Sequence, residues 1–303
     1  MTHTDSSILV LALFALLLPA PASANSNPLP HPQQASKSTA STFHRGLFSA
    51  YRARASATQV NQPQWATPLV TTNARIEQGL RSDFVRQTAP NGASTWNFGN
   101  TKGLQLIPLP RMELRISPPP FFEHSAPANP DDFGDIAFRL KYRLYGSNEQ
   151  HHNAIVTAEL SASLPTGKNG NSNCCAIITP TMDLGKGFQK LDWQTTFGAT
   201  LPASNTNKLG RSLSWNNALQ YHATKLLWIE DEFNSTFYFG GKNDGKQQTF
   251  ITPGIVVSRI PLLRGRPCAP ARLAITLGAG EQIALTHFHT YNHSPVFTFR
   301  LRF

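Results

Sequence analysis

Asp135-Ile136-Ala137-Phe138-Arg139-Leu140-Lys141-Tyr142-Arg143-Leu144-Tyr145 alternates along its whole length. Ile136, Phe138, Leu140, Tyr142 and Leu144 take every second place, and Arg139, Lys141 and Arg143 fall between them. A helix would scatter those cations around its circumference. A period of two puts the apolar residues on one face of a strand and the charges on the other. Asn153–Leu164 answers this run: Ala154, Val156, Ala158, Leu160 and Ala162 alternate with Thr157, Glu159, Ser161 and Ser163. Joined by the polar turn Gly146–His152, the two make a hairpin with one apolar and one wet face. The apolar face meets either a protein core or lipid.

The same alternation recurs from Asn73 to the end of the chain. Ile76, Leu80 and Phe84 oppose Arg75, Glu77, Arg81 and Asp83. Trp96–Ile107 is a less regular strand, and Met112, Leu114 and Ile116 oppose Arg111, Glu113 and Arg115. Leu191, Trp193 and Phe197 oppose Asp192, Gln194 and Thr196, while Ile229, Phe233 and Phe237 oppose Glu230, Glu232 and Asn234. The last strand sets Phe297, Phe299, Leu301 and Phe303 against Thr298, Arg300 and Arg302. About twelve strands result, an even number, as in single-chain outer-membrane barrels. Connections alternate long and short, with 86–93, 118–133, 165–175, 201–210, 240–247 and 282–292 as the long set. Ile260–Pro270 breaks the rule, being long where a tight turn is expected.

A soluble β-sandwich is the competing home for such strands. Strands of about ten residues suit a tilted membrane crossing better than the five or six common in sandwiches. The wet face carries both signs of charge, as a polar lumen would. The expected fold is therefore all-β: a closed antiparallel transmembrane β-barrel of about twelve strands over 73–303. Asp231 stands against it, because its place in the alternation is on the lipid side. It has to lie near an interface or mark a bulge.

Ahead of the barrel, Ile8–Leu18 is an apolar run followed by Ala22-Ser23-Ala24. That reads as a signal peptide over 1–24, cut after Ala24, although Met1–Ser6 holds no Lys or Arg. Residues 25–72 form a Pro/Ser-rich tail expected to be disordered or weakly ordered. Within it, Phe43–Arg54 mixes aromatics with arginines and reads either as unstructured tail or as a short helix that touches headgroups or plugs a lumen. The chain has 303 residues and a formal charge of +10, with 15 % charged residues, 23 prolines, 20 glycines and 19 phenylalanines. The basic residues are dispersed through the strands without a dense patch, which argues against a nucleic-acid partner. Cys174, Cys175 and Cys268 make neither an even disulfide set nor a zinc spacing. The topology places Cys268 and the adjacent pair at opposite ends of the barrel.

The residues that could carry chemistry are few. His287, His289 and His293 lie near Ser294, a base beside a nucleophile. His287 and His289 also share a strand face as metal ligands might, but both fall in the final external loop, where surface histidines are common. Neither catalysis nor a metal or other cofactor is expected. The lumen is the candidate solute-binding surface: Arg139, Lys141, Arg143, Glu159, Asp192, Glu230, Glu232 and Arg300 face inward. Their surplus of cations either selects solutes or satisfies the carboxylates of a filled barrel.

Gly134-Asp135-Ile136-Ala137-Phe138-Arg139-Leu140-Lys141-Tyr142-Arg143-Leu144, followed by Leu160-Ser161-Ala162-Ser163-Leu164-Pro165-Thr166-Gly167, resembles the "G-D … K-Y-x-L … L-P-T-G" pattern of the outer-membrane family of the meta-pathway of phenol degradation. Arg75-Ile76-Glu77-Gln78-Gly79 and Met112-Glu113-Leu114-Arg115-Ile116 are similar to its early strands. The resemblance implies a transporter of small, often hydrophobic or aromatic compounds in the cell outer membrane. The terminal Phe297, Phe299, Leu301 and Phe303 resemble the signal read by the barrel assembly machinery. Expected partners are outer-membrane lipid, that machinery and a small-molecule solute. The other readings are a filled-lumen structural or surface-interaction barrel and an outer-membrane hydrolase.

Overall fold

The computed structural model describes residues 46–125, 130–263 and 273–303. The expected leader, the first part of the tail and Cys268 lie outside the described residues. Fifteen strands form one sheet: β1 (Gly79–Thr88), β2 (Ser94–Gly99), β3 (Leu104–Leu109), β4 (Met112–Ser117), β5 (Phe121–His124), β6 (Asp132–Phe133), β7 (Ile136–Ser147), β8 (Ala154–Leu164), β9 (Ile177–Phe188), β10 (Leu191–Pro202), β11 (Arg211–His222), β12 (Leu227–Phe239), β13 (Gln247–Leu263), β14 (Leu273–Ala284) and β15 (His293–Arg302). Every pairing is antiparallel, and β15 returns to β1 with Gly79 opposite Arg302 and Phe84 opposite Phe297. That pairing closes the sheet on itself as a barrel.

Three staves are built from two pieces each. Strands β2 and β3 both lie against β1, separated at Asn100 and Thr101, whose φ values are 44° and 54°. Strands β4 and β5 are parted by Pro118-Pro119-Pro120, which offers no N–H to a ladder. Strands β6 and β7 pair with β5 and β4 respectively. Counting each pair once, the barrel has twelve staves. Segment 118–133, expected as one long loop, thus continues the wall through β5 and β6. The irregular run Trp96–Ile107 owes its lost period to the break at Asn100.

The opening hairpin forms as expected, with Leu140 opposite Leu160 and Lys141 opposite Glu159. Leu140 is 40 % exposed and Lys141 only 1 %, although Leu is the apolar one. This inversion runs right round the wall: Phe197, Leu213, Trp215, Leu219, Ile229, Phe233, Ile255, Leu277 and Phe297 are exposed, while Asp83, Asp183, Gln194, Gln220, Glu232 and Thr252 are buried. A sandwich core would show the reverse. Apolar-out and polar-in is the arrangement of a barrel solvated by lipid. Asp231 points outward between Leu219 and Pro253 in unbroken register, so it marks no bulge; it is the fifth residue of β12 from the short-turn end.

Inside the wall lies the segment that was expected to be weakly ordered. Helix α1 (Gly46–Val60) sits at the end of the barrel that carries the short turns, and residues 61–78 run through the lumen before β1 begins. Ile76, expected on the outer face of the first strand, is fully buried with Ala55 and Ile107. The chain passes from lumen to wall at Gly79, where a Cβ would lie 2.4 Å from the Leu301 carbonyl oxygen. Only glycine permits that crossing.

Candidate functional site: the lumen and its inner segment

The turn-end half of the lumen is charged because period-two strands aim every second residue inward. It is filled because those charges bond to the main chain of 61–78. Glu230 accepts from the Leu69 N–H at 3.0 Å, and Glu232 accepts from Val70 at 2.8 Å and from Thr71 at 2.5 Å. Arg81 donates to the Leu69 carbonyl at 2.6 Å and grips Asp83 through two further bonds of 2.9 and 2.8 Å. Arg300 donates to the carbonyls of Thr67 and Pro68. Lys141 Nζ donates to the Asn73 carbonyl at 2.6 Å and its side-chain oxygen at 3.0 Å, and lies 3.7 Å from Glu159. Arg143 donates to the Thr58 carbonyl of α1 at 2.7 Å. Irregular backbone inside a membrane barrel needs such partners, since an unmet buried amide costs about 1–3 kcal/mol.

The wall is also shaped for this segment. Leu69, 1 % exposed, lies on Gly254, Gly278 and Gly280, where added Cβ atoms would come within 2.4, 2.7 and 2.6 Å of its methyl groups. Trp65 lies on Gly185 and Gly187 in the same way, at 2.5 and 2.8 Å. Each seat buries a large apolar side chain, worth about 1.5–3 kcal/mol. Five glycines facing two side chains make a matched surface, not incidental contact.

The loop-end half differs in chemistry. Ser161, Thr179, Thr181, Thr200, Ser212, Ser214 and Asn216 occupy its inward positions, and Arg139 is tied to Glu159 at 2.9 Å and to Ser161 at 3.0 Å. The connection 285–292 folds over this half. Tyr291 stacks on Phe250 at 4.4 Å and bonds Gln282 at 3.0 Å, while Phe288 meets Tyr238 edge-on at 5.8 Å. The result is a vestibule lined mainly by hydroxyls and amides, with an aromatic wall over which Lys246 lies 4.6 Å from the Phe288 ring, above a charged and occupied neck.

All eight residues read from the sequence as lumen-facing do face inward, and all but Arg139 are buried. Most of them are engaged by the inner segment: Lys141, Arg143, Glu230, Glu232 and Arg300 hold 58–73, Asp192 bonds Gln194 at 3.1 Å, and Gln194 in turn bonds the Ala66 carbonyl. Arg81, Asp83, Gln105, Glu113 and Arg115 belong to the same buried set. Their alternation was visible, but the partner they needed was not.

The histidine–serine grouping is not assembled. His293 faces outward to Glu281 at 3.0 Å, while Ser294 faces inward, fully buried. His289 is engaged by Thr286 and Asn292 at 2.7 and 2.8 Å. Cys174 and Cys175 lie at the loop end of β9 with their sulfurs 3.7 Å apart, unbridged. Phe297, Phe299, Leu301 and Phe303 occupy the outward positions of the last strand and its end.

No family model matches the chain, and no curated protein matches its sequence. Among solved structures, it is similar to an outer-membrane channel from Pseudomonas putida F1, at 13 % identity over 75 % of this chain and 95 % of that one, with a TM-score of 0.49. It is also similar to the NanC porin, at 8 % identity over 75 % of this chain and 98 % of that one, with a TM-score of 0.47. The barrel itself stands on its strand pairings.

Proposed function

We propose that the chain is an outer-membrane β-barrel channel that admits small molecules passively, and that residues 46–78 set its closed state. The observation that carries this reading is the seat of Leu69 and Trp65 on wall glycines inside an otherwise polar lumen. A barrel meant to be solid could fill its neck with wall side chains; here a separate strand of chain, joined to the wall by hydrogen bonds and two apolar anchors, does so. Moving that one segment opens the neck without breaking a ladder. The loop end then faces the cell exterior and the turn end the periplasm, because long connections lie outside in such barrels.

We infer the substrate class from the vestibule. Neutral hydroxyls and the Tyr238, Phe250 and Tyr291 rings favour small uncharged or aromatic solutes that can stack. This agrees with the resemblance to the meta-pathway family. Delivery of the barrel by an N-terminal leader and its insertion through the terminal Phe297–Phe303 pattern belong to the same reading. A second reading, a filled-lumen structural barrel, is favoured by the number of bonds that hold 61–78. Vesicle-swelling assays with a small phenol and a neutral sugar separate the two. Flux that is small or nil in the wild type and rises in Glu230→Gln/Glu232→Gln supports the channel. Absence of flux in both proteins, each verified as folded by its heat-dependent shift on a denaturing gel, removes it.

A further inference from the structure

A cavity of about 500 Å³ lies at the turn end between α1 and the wall. Arg54 of α1, Arg111 of the β3–β4 turn and Arg143 of β7 line it together with Leu144 and Tyr145. Among the described residues no carboxylate lines it, and none of these three arginines forms an ion pair. The Arg54 Nε is buried without an acceptor. Arg143 is 7 % exposed and spends one nitrogen on Thr58 and Gln62. Buried Arg143, half-buried Arg54 (its guanidinium 5.6 Å from the Tyr51 ring) and exposed Arg111 at the mouth thus line one cavity without a carboxylate, a charge balance that suits an anion.

The other side of the cavity is apolar. The ladder between β7 and β8 shifts register between Arg143 and Tyr145, and the consecutive Leu144 and Tyr145 are 41 % and 44 % exposed beside the inward Arg143. The cavity therefore joins a cationic recess to the outer, lipid-facing wall at the rim. A free phosphate would use only the arginines; an amphiphile would use both.

We infer that this cavity binds the phosphate of an anionic phospholipid, with Arg54, Arg111 and Arg143 on the headgroup and Leu144 and Tyr145 along the acyl chains. Basic recesses between membrane segments hold such headgroups in other folds. The inference rests on the membrane-embedded reading of the barrel, and on nothing about transport. Because Arg143 also holds Thr58, the lipid would sit at the root of the inner segment.

Native mass spectrometry of the full-length protein in detergent tests it, with added phosphatidylglycerol, phosphatidylcholine or inorganic phosphate. Phosphatidylglycerol should bind about tenfold or more tightly than phosphatidylcholine, and Arg54→Gln or Arg111→Gln should each weaken it about tenfold. Both variants should keep the heat-dependent gel shift of the wild type, which reports the barrel independently of the lipid. Equal phosphatidylglycerol binding by wild type and the Arg54→Gln/Arg111→Gln double variant overturns the site. Displacement of bound phosphatidylglycerol by millimolar inorganic phosphate overturns the lipid as its occupant. A wild type without the gel shift points to failure of the barrel reading itself.

Discussion

Leu69→Ala is expected to loosen the inner segment without touching the wall. Leu69 is 1 % exposed, and the sheet backbone at Gly254, Gly278 and Gly280 is fixed by its own ladder and cannot close in on the space left behind. A buried Leu→Ala change costs about 2–5 kcal/mol, and water entering from the lumen should hold this one near the lower end, about 2–3 kcal/mol. At 1.4 kcal/mol per tenfold, the undocked population rises about 30- to 150-fold. Amide hydrogen exchange reads that population directly, because the N–H groups of Leu69, Val70 and Thr71 are capped by Glu230 and Glu232 only while the segment is seated. Their exchange should accelerate by that factor, while β10 and β11 stay protected. Gly254→Ala approaches the same contact from the wall, since its Cβ would lie 2.4 Å from a Leu69 methyl carbon, and should cost about 1–3 kcal/mol of docking. The double variant Leu69→Ala/Gly254→Ala should cost less than the two singles together, because the clashing methyl is gone. Wild-type exchange at 69–71 as fast as in a free peptide, or no change in either single variant, would refute the seat.

Lys141→Met removes the donor shared by Asn73 and Glu159 and should lower stability by about 1–3 kcal/mol, seen as a lower temperature for the gel shift of the folded barrel. Leu219→Arg places a cation on the outward face, 46 % exposed in the wild type, and should cost about 2–4 kcal/mol in lipid vesicles if that face meets the bilayer core. Burial opposes charge on Asp135, but hydrogen bonds from Ser172, Asn173 and Gly167 outweigh it and hold the carboxyl below its ordinary value of 3.8. A depressed pKa contributes stability above the unfolded value and loses it as pH falls through the folded one. Limited proteolysis of 165–173 should therefore stay slow at neutral pH, quicken only below about pH 3.8, and be fast at neutral pH in Asp135→Asn.

The wall was legible in the sequence because strand periodicity is local: each outward Leu, Trp or Phe is set by its own neighbours, and lipid needs no partner residue to be specified. The breaks at Asn100 and Pro118–Pro120 were harder, since a broken stave and a loop share the same turn-forming residues. The inner segment was not legible. Trp65 and Leu69 stand in a Pro- and Gln-rich run too short of apolar residues to fold alone, and what orders them is the glycine surface of β9, β13 and β14, up to 211 positions away in the chain. The same gap hid the role of Glu230 and Glu232. Their inward direction follows from alternation, but their partners are backbone amides that carry no sequence signal.

In the proposed channel, the protein's own residues 46–78 close the neck of the barrel. Single-channel recording in planar bilayers tests it most directly, comparing the wild type with a variant lacking 46–72, both verified as folded by the gel shift. The wild type should be silent or open only briefly, and the deletion should give a steady, larger conductance. Steady wild-type current at the level of the deletion would contradict the account.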